Sequence, residues 1–241
     1  MVVFGMEEGI ESFVATPHIL DDLSTGRDRF LRVRFSELEE RLDAEGLRVE
    51  VVLGAEIFYQ FGLERIRELE VATFGGNGCY FLLELPFASF PPHLEQVLFR
   101  LQTMELCPIL AHAERYAGYS GNMKRLRELV YRGVLLQINS GSLTGQFGRR
   151  IRKAARTLLT ENLVHFVATN AHNITTRPPV VREAMDVVAE LKGPEEVQKL
   201  FHINPTRAIQ GERIELEVYP FAEERVGSAR SFWRKLIGQD R

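Results

Sequence analysis

Six short runs rich in Val, Ile, Leu or Phe recur over the first two thirds of the chain, separated by longer stretches with helical character. They are Glu11 to Ala15, Arg48 to Leu53, Cys79 to Glu84, Cys107 to Ala111, Val134 to Ile138 and Leu163 to Ala168. Most are continuously apolar rather than alternating, the pattern of strands buried on both faces. Helical patterns lie at about Arg27 to Glu45, Leu63 to Leu69, Pro92 to Glu105, Asn122 to Arg132 and Gly145 to Glu161, then at Pro179 to Leu191 and Pro194 to Phe201. In the first of these, Phe30, Leu31, Val33, Phe35, Leu38 and Leu42 fall on or near one stripe. Strand and helix in alternation predict an α/β fold built of βα units around a parallel sheet. Val2 to Ile10 reads as the tail of an amphipathic helix with no strand ahead of it. A closed barrel of βα units needs that strand to pair its two edges, so the chain is expected to begin part-way through its first βα unit.

Size and charge narrow the reading. The 241 residues fit one large domain or at most two small ones. One domain over residues 1–212 is expected, followed by a charged tail at 213–241 whose Phe232-Trp233 pair reads as a docking contact. A formal charge of -3 gives no reason to expect nucleic acid or an anionic membrane as partner. No apolar run approaches the roughly 20 residues of a membrane span, and the N-terminus lacks a signal-peptide pattern. The cytoplasm is the expected compartment. Two cysteines, Cys79 and Cys107, make neither a disulfide framework nor a zinc finger and read as core.

Ligands of parallel α/β folds bind at the C-terminal ends of the strands, so the residues ending each run are the ones to inspect. They include His18, Glu56, Glu84, His112 and His172, three of the six histidines in the chain together with two carboxylates. A single histidine there is more often a hydrogen-bonded structural residue than a ligand. Glu84 is different, because a carboxylate ending the run Tyr80-Phe81-Leu82-Leu83 is costly to bury unpaired. Five such residues on one predicted rim point to a metal site. Imidazole and carboxylate together suit Mn, Fe or Zn, and paired cations are the usual device for phosphate-ester hydrolysis. His93, His165 and His202 read as structural. Thiol-phosphatase chemistry is excluded, since the sixth residue after Cys79 is Leu85 and after Cys107 is Ala113, leaving no C-x5-R loop. Gly75-Gly76-Asn77-Gly78 reads as a turn, not a phosphate loop, because no G-K-[ST] follows.

Five motifs occur in the order seen in PHP-superfamily proteins: A-T-P-H at Ala15 to His18, G-A-E at Gly54 to Glu56, L-E-L-P-F at Leu83 to Phe87, A-H-A-E-R at Ala111 to Arg115, and T-N-A-H-N at Thr169 to Asn173. Gln137 to Gly145, Phe147-Gly148, Thr175 to Arg177 and Asn204-Pro205 add to the likeness, which covers roughly residues 1–212. The set most resembles the bacterial tyrosine-protein phosphatases of the capsule and exopolysaccharide type. That resemblance implies a PHP fold, a distorted seven-stranded β/α barrel whose first strand is missing in this chain, with a cluster of usually three metal ions, often manganese. It implies His18, Glu56, Glu84, His112 and His172 as metal ligands, and Arg115 and Arg177 as catalytic arginines that hold the substrate phosphate, a task suited to guanidinium's planar fork. It implies as partner a phosphotyrosine protein, notably the tyrosine autokinase that controls polysaccharide export. Oligomers occur in the family.

The chain also departs from the pattern. The family's opening strand with its His-x-His metal motif is absent, and Asn170 stands where a ligand Asp is usual. A neutral amide is a weaker ligand than a carboxylate, so one or two ions are expected in place of three. Ala113 replaces a usual Pro. Three readings therefore stay open: a metal-dependent tyrosine-protein phosphatase, a small-molecule phosphomonoesterase of histidinol-phosphatase type, and a barrel that binds a phosphoprotein without hydrolysing it.

Overall fold

The apolar runs become parallel strands, and the first two are each followed, after a two-residue break, by a second short strand. In the computed structural model, which describes residues 1–87, 89–118 and 122–215, the first run gives β1 (Ser12–Ala15) and, past Thr16-Pro17, β2 (His18–Ile19). The second gives β3 (Glu50–Leu53) and, past Gly54-Ala55, β4 (Glu56–Phe58). The hydrogen bonding carries across both breaks. Gly54 N–H donates to Ala15 O at 2.9 Å and Glu56 N–H to Pro17 O at 3.1 Å. Proline has no N–H to return to the ladder, which accounts for the interruption. The remaining runs are β5 (Tyr80–Glu84), β6 (Cys107–Leu110), β7 (Leu135–Asn139) and β8 (Phe166–Ala168).

All strand pairs are parallel. β1 pairs with β3, and the longer sheet runs β2-β4-β5-β6-β7-β8. The sheet is curled rather than flat. Among the described residues β2 and β8 are its two edges, yet His18 on β2 and His172 just beyond β8 have ring centroids only 6.2 Å apart. The α/β class expected from the alternation is what the chain adopts.

The helices are α1 (Val2–Glu7), α2 (Thr25–Ala44), α3 (Leu94–Thr103), α4 (Ala113–Ala117), α5 (Asn122–Tyr131), α6 (Ser140–Thr144), α7 (Arg149–Thr160), α8 (Arg182–Lys192), α9 (Pro194–Gln198) and α10 (Asn204–Gln210). Three departures from the sequence reading have local causes. Leu63–Glu68 is a tight 3₁₀ segment, not an α-helix. The expected helix from Gly145 to Glu161 begins only at Arg149, because Gly145 (φ +105°) and Gly148 (φ +88°) take backbone conformations no helix contains. The last helix does not stop at Phe201 but widens through a π-turn at Lys199–Ile203 into α10.

Two apolar clusters sandwich the sheet. One face of each strand packs on the helices, with Ile57, Phe81, Leu83, Leu110, Leu136, Ile138 and Val167 buried there. The other face lines the concave interior, where Tyr80, Leu82, Ile109, Leu135 and Phe166 pack with Phe74, Ala208 and Ile214. The period of two along a strand then fixes what stands at the top of the interior. Glu84 follows Tyr80 and Leu82, Gln137 and Asn139 follow Leu135, and Glu56 starts the interior face of β4. At the opposite end, Tyr80 Oη donates to Glu212 O (2.8 Å) and accepts from Ile214 N–H (3.1 Å), so the end of the expected domain and the start of the expected tail are tied to the base of the sheet. Residues 216–241, with Phe232 and Trp233, lie outside the described residues.

Cys79 and Cys107 are half-buried rather than core, and their sulfurs face each other at 3.2 Å beside the interior cluster. His165 has the structural role expected of it, its Nδ1 accepting from Leu136 N–H at 3.1 Å.

Candidate metal centre

Four of the five ligand candidates converge above the interior cluster. His112 Nε2 lies 2.9 Å from Glu56 Oε1 and 3.4 Å from Glu84 Oε1. On the other side of the same carboxylates, His18 Nε2 is 3.7 Å from Glu56 Oε2 and 4.0 Å from Glu84 Oε2. The carboxylates and His112 are buried, while His18 is partly exposed and leaves the group open on one side. The ladder does this positioning. β2 and β4 pair in register at His18↔Glu56, and Phe58 of β4 stands opposite Glu84 of β5.

Electrostatics follow from that packing. Burial alone would raise the Glu56 carboxyl, but the His112 hydrogen bond and the nearby His112, His18 and His172 hold it below the ordinary carboxylate value. Burial likewise opposes charge on His112, yet its hydrogen bonds to Glu56 and Glu84 hold the imidazole above its ordinary value. Without metal, this buried pair ties stability to pH. The His112 contribution is present below its unfolded value of 6.5 and is lost as pH rises through its raised folded value. The Glu56 contribution is present above its unfolded value of 4.5 and is lost as pH falls through its lowered folded value. Metal-free protein is therefore expected to show a fall in Tm by calorimetry as pH rises above 6.5, and His112→Gln should flatten that fall. An equal slope in both proteins would show that His112 does not carry it.

His172 arrives from the loop after β8 and stands beside this group rather than within it. Its Nδ1 contacts Asn170 O at 3.1 Å and its Nε2 contacts Arg177 Nη1 at 3.0 Å. The loop is braced by Asn173, whose Oδ1 accepts from the backbone N–H of Thr175, Thr176 and Arg177, an Asx turn. His172 N–H closes the loop on Arg177 O at 3.0 Å. The Asn170 side chain makes no hydrogen bond among the described residues, and its backbone is left-handed (φ +48°). Asparagine and histidine tolerate that region better than most residues, and the same holds at His112 (φ +38°).

Arg177 stands at the edge of the group, on His172, with Arg115 nearby. Burial, and then the charge of Arg115, depress the Arg177 guanidinium, so two cations are held close where an anion would relieve their repulsion. Arg115 lies between two aromatic rings, 5.1 Å from the Phe87 centroid and 5.8 Å from that of Phe147. Phe87 also stacks near His112 and Tyr116, and Tyr116 Oη fixes the preceding loop by exchanging hydrogen bonds with Leu85 N–H (2.9 Å) and Leu85 O (3.1 Å).

A layer of polar residues beneath the site falls within the motif segments Ala111 to Arg115 and Gln137 to Gly145, which carry no expected role for Glu114, Gln137, Asn139 or Ser142. Gln137 Oε1 accepts the His112 backbone N–H at 3.0 Å, and Gln137 Nε2 donates to Asn139 Oδ1 at 3.1 Å. Glu114 is fully buried. Its Oε1 accepts from Ser142 Oγ (2.6 Å) and Asn139 N–H (3.2 Å), and burial keeps its carboxyl above the ordinary value despite the Ser142 bond. The available signal was two polar residues spaced by two in the apolar strand Leu135-Leu136-Gln137-Ile138-Asn139.

The donor set suits a metal ion. His18, Glu56 and Glu84 offer ligand atoms all within 4.8 Å of one another, with His112 adjoining, a mix of imidazole and carboxylate suited to Mn, Fe or Zn. Four buried polar atoms around the site, His112 Nδ1, Glu114 Oε2, Asn139 Nδ2 and Arg177 Nε, have no hydrogen-bond partner among the described residues, as is common where a further group completes a site.

Comparison with known proteins gives the chain a context. Residues 1–210 match the family model for capsular polysaccharide synthesis, CpsB/CapC. The putative tyrosine-protein phosphatase CapC of Staphylococcus aureus is 31% identical over 212 residues, covering 88% of this chain and 82% of CapC. Tyrosine-protein phosphatase YwqE of Bacillus subtilis is 33% identical over 190 residues, covering 79% and 75%. A solved structure from a study of YwqE of Bacillus subtilis and CpsB of Streptococcus pneumoniae, described there as metal-dependent tyrosine phosphatases, superposes with a TM-score of 0.78 at 29% identity over 89% of this chain and 87% of that one.

Proposed function

The chain belongs to the CpsB/CapC family of capsular polysaccharide synthesis, and from that premise we propose that it is a metal-dependent phosphatase acting on phosphotyrosine in a protein. The observation that carries the reading is the convergence of His18, Glu56, Glu84 and His112 beside two arginines that no carboxylate pairs among the described residues. His18, Glu56, Glu84 and His112 would hold the metal, with His172 and the weaker Asn170 at its edge. A bound divalent cation supplies positive charge there, which acidifies a water and offsets charge on the phosphoryl oxygens. Arg177 and Arg115 bind the phosphate and orient it, and the rings of Phe87 and Phe147 keep the Arg115 guanidinium in place. The deep carboxylates exclude an anion from their own side and leave it the arginine side.

Manganese is our choice of metal, consistent with the imidazole and carboxylate donors. The partner we assign is a tyrosine autokinase of polysaccharide export, met in the cytoplasm. Among the described residues no helix is long and apolar enough to cross a membrane. Asn170 favours a second reading, a phosphoprotein-binding barrel with impaired turnover, because a neutral amide weakens one ligand position. The test is phosphate release from a phosphotyrosine peptide by pure protein reconstituted with manganese, abolished by a chelator and restored by metal. No release from the reconstituted protein would overturn the first reading, and peptide binding without release would support the second.

A further inference from the structure

The helix α7 carries Arg149, Arg152, Lys153 and Arg156 at spacings of three and four, which places them on one face. Elsewhere several arginines pair with carboxylates. Arg32 meets Asp28 and Glu70, Arg100 meets Glu64, Arg125 meets Glu95 and Arg127 meets Glu161. These four of the five cations of α7 meet no carboxylate among the described residues, although the chain as a whole is acidic at -3. Like charges at these spacings weaken a helix. The side chains of this basic ridge enclose a shallow depression of about 350 Å³, which Thr157 and Thr160 also line.

The ridge starts at the candidate site. Phe147, two residues before α7, faces Arg115, and Gln146 Nε2 donates to Thr176 O, next to Arg177, at 2.7 Å. We propose that the α7 ridge docks an acidic stretch of polypeptide flanking the phosphotyrosine, so that the substrates of this chain are phosphoproteins with Asp or Glu beside the target residue. The proposal rests on the phosphatase reading for its substrate and on the ridge for its charge. Guanidinium forks suit carboxylates. The 12 residues of α7 extend about 18 Å, the span of some five or six extended residues. A lipid surface fits less well, since a membrane-lying helix presents large apolar side chains beside its cations and α7 exposes none.

The test uses the full chain and fluorescence anisotropy at low salt, with three labelled probes: an unphosphorylated six-glutamate peptide, its glutamine counterpart and a single-stranded oligothymidylate, with phosphatidylserine vesicles read by co-sedimentation. The glutamate peptide is expected to bind at least about tenfold tighter than the glutamine one, with the advantage lost at high salt. Arg152→Glu/Lys153→Glu should remove that preference, whereas Arg29→Glu/Arg48→Glu, the same charge change on other exposed positions, should keep it. Equal binding by the ridge variant and the unaltered chain would overturn the proposal. So would oligonucleotide or vesicle binding that is stronger than peptide binding and depends on the ridge. Hydrolysis of a phosphotyrosine peptide with neutral flanks, run in parallel, reads the site alone. Its failure with acidic-peptide binding intact would overturn the phosphatase reading and leave the ridge standing.

Discussion

Glu56→Gln is expected to lower kcat/KM for a phosphotyrosine peptide by about 10³-fold, an estimate from the several kcal/mol that metal catalysis supplies, and to lower bound metal measured by mass spectrometry. The carboxylate stands between two imidazoles, 2.9 Å from His112 Nε2 and 3.7 Å from the partly exposed His18 Nε2, and is buried with His112. Glutamine keeps the shape and removes the charge. It also removes one of the two carboxylates that hold His112 above its ordinary value, so the metal-free variant should lose part of the pH dependence of Tm as well. A folded variant with full metal content and full activity would remove Glu56 from the centre.

Arg177→Ala should cost about 10²–10³-fold in kcat/KM, the scale seen when one preorganised donor to a developing charge is removed. Here the metal content should be unchanged, which separates the phosphate-binding role from that of Glu56. Inhibition by inorganic phosphate should weaken in parallel. Arg177→Lys should recover only part of the loss, because an ammonium cannot reproduce the two-pronged contact of the guanidinium. Undiminished phosphate inhibition in the alanine variant would show that Arg115 holds the anion without it.

The framework was readable from the chain because each buried strand announces itself as an apolar run. All six runs form strands, and their ends hold His18, Glu56, Glu84, His112 and His172. The strands β2 and β4 were not readable as such. They are two and three residues long, and their pairing comes from a ladder that continues past Pro17 and Gly54, a tertiary fact with no local signature. The looser placement of His172 was equally hidden, since it depends on the Asx turn at Asn173 and the contact with Arg177. The Gln137, Asn139 and Glu114 layer was partly visible as polarity inside an apolar strand. Its connection to the His112 backbone needs a neighbour 25 residues away in sequence.

The left-handed backbones at His112 and Asn170 set a limit on how this protein can be improved. Such residues cost on the order of 1 kcal/mol each relative to a relaxed backbone, and glycine would relieve the strain at both. A laboratory selection for heat resistance alone would thus be drawn toward glycine at position 170, where the side chain makes no hydrogen bond among the described residues, while a selection for turnover would be drawn toward aspartate. The two pressures meet on one codon, so evolved variants sequenced at that position would report which property had been selected.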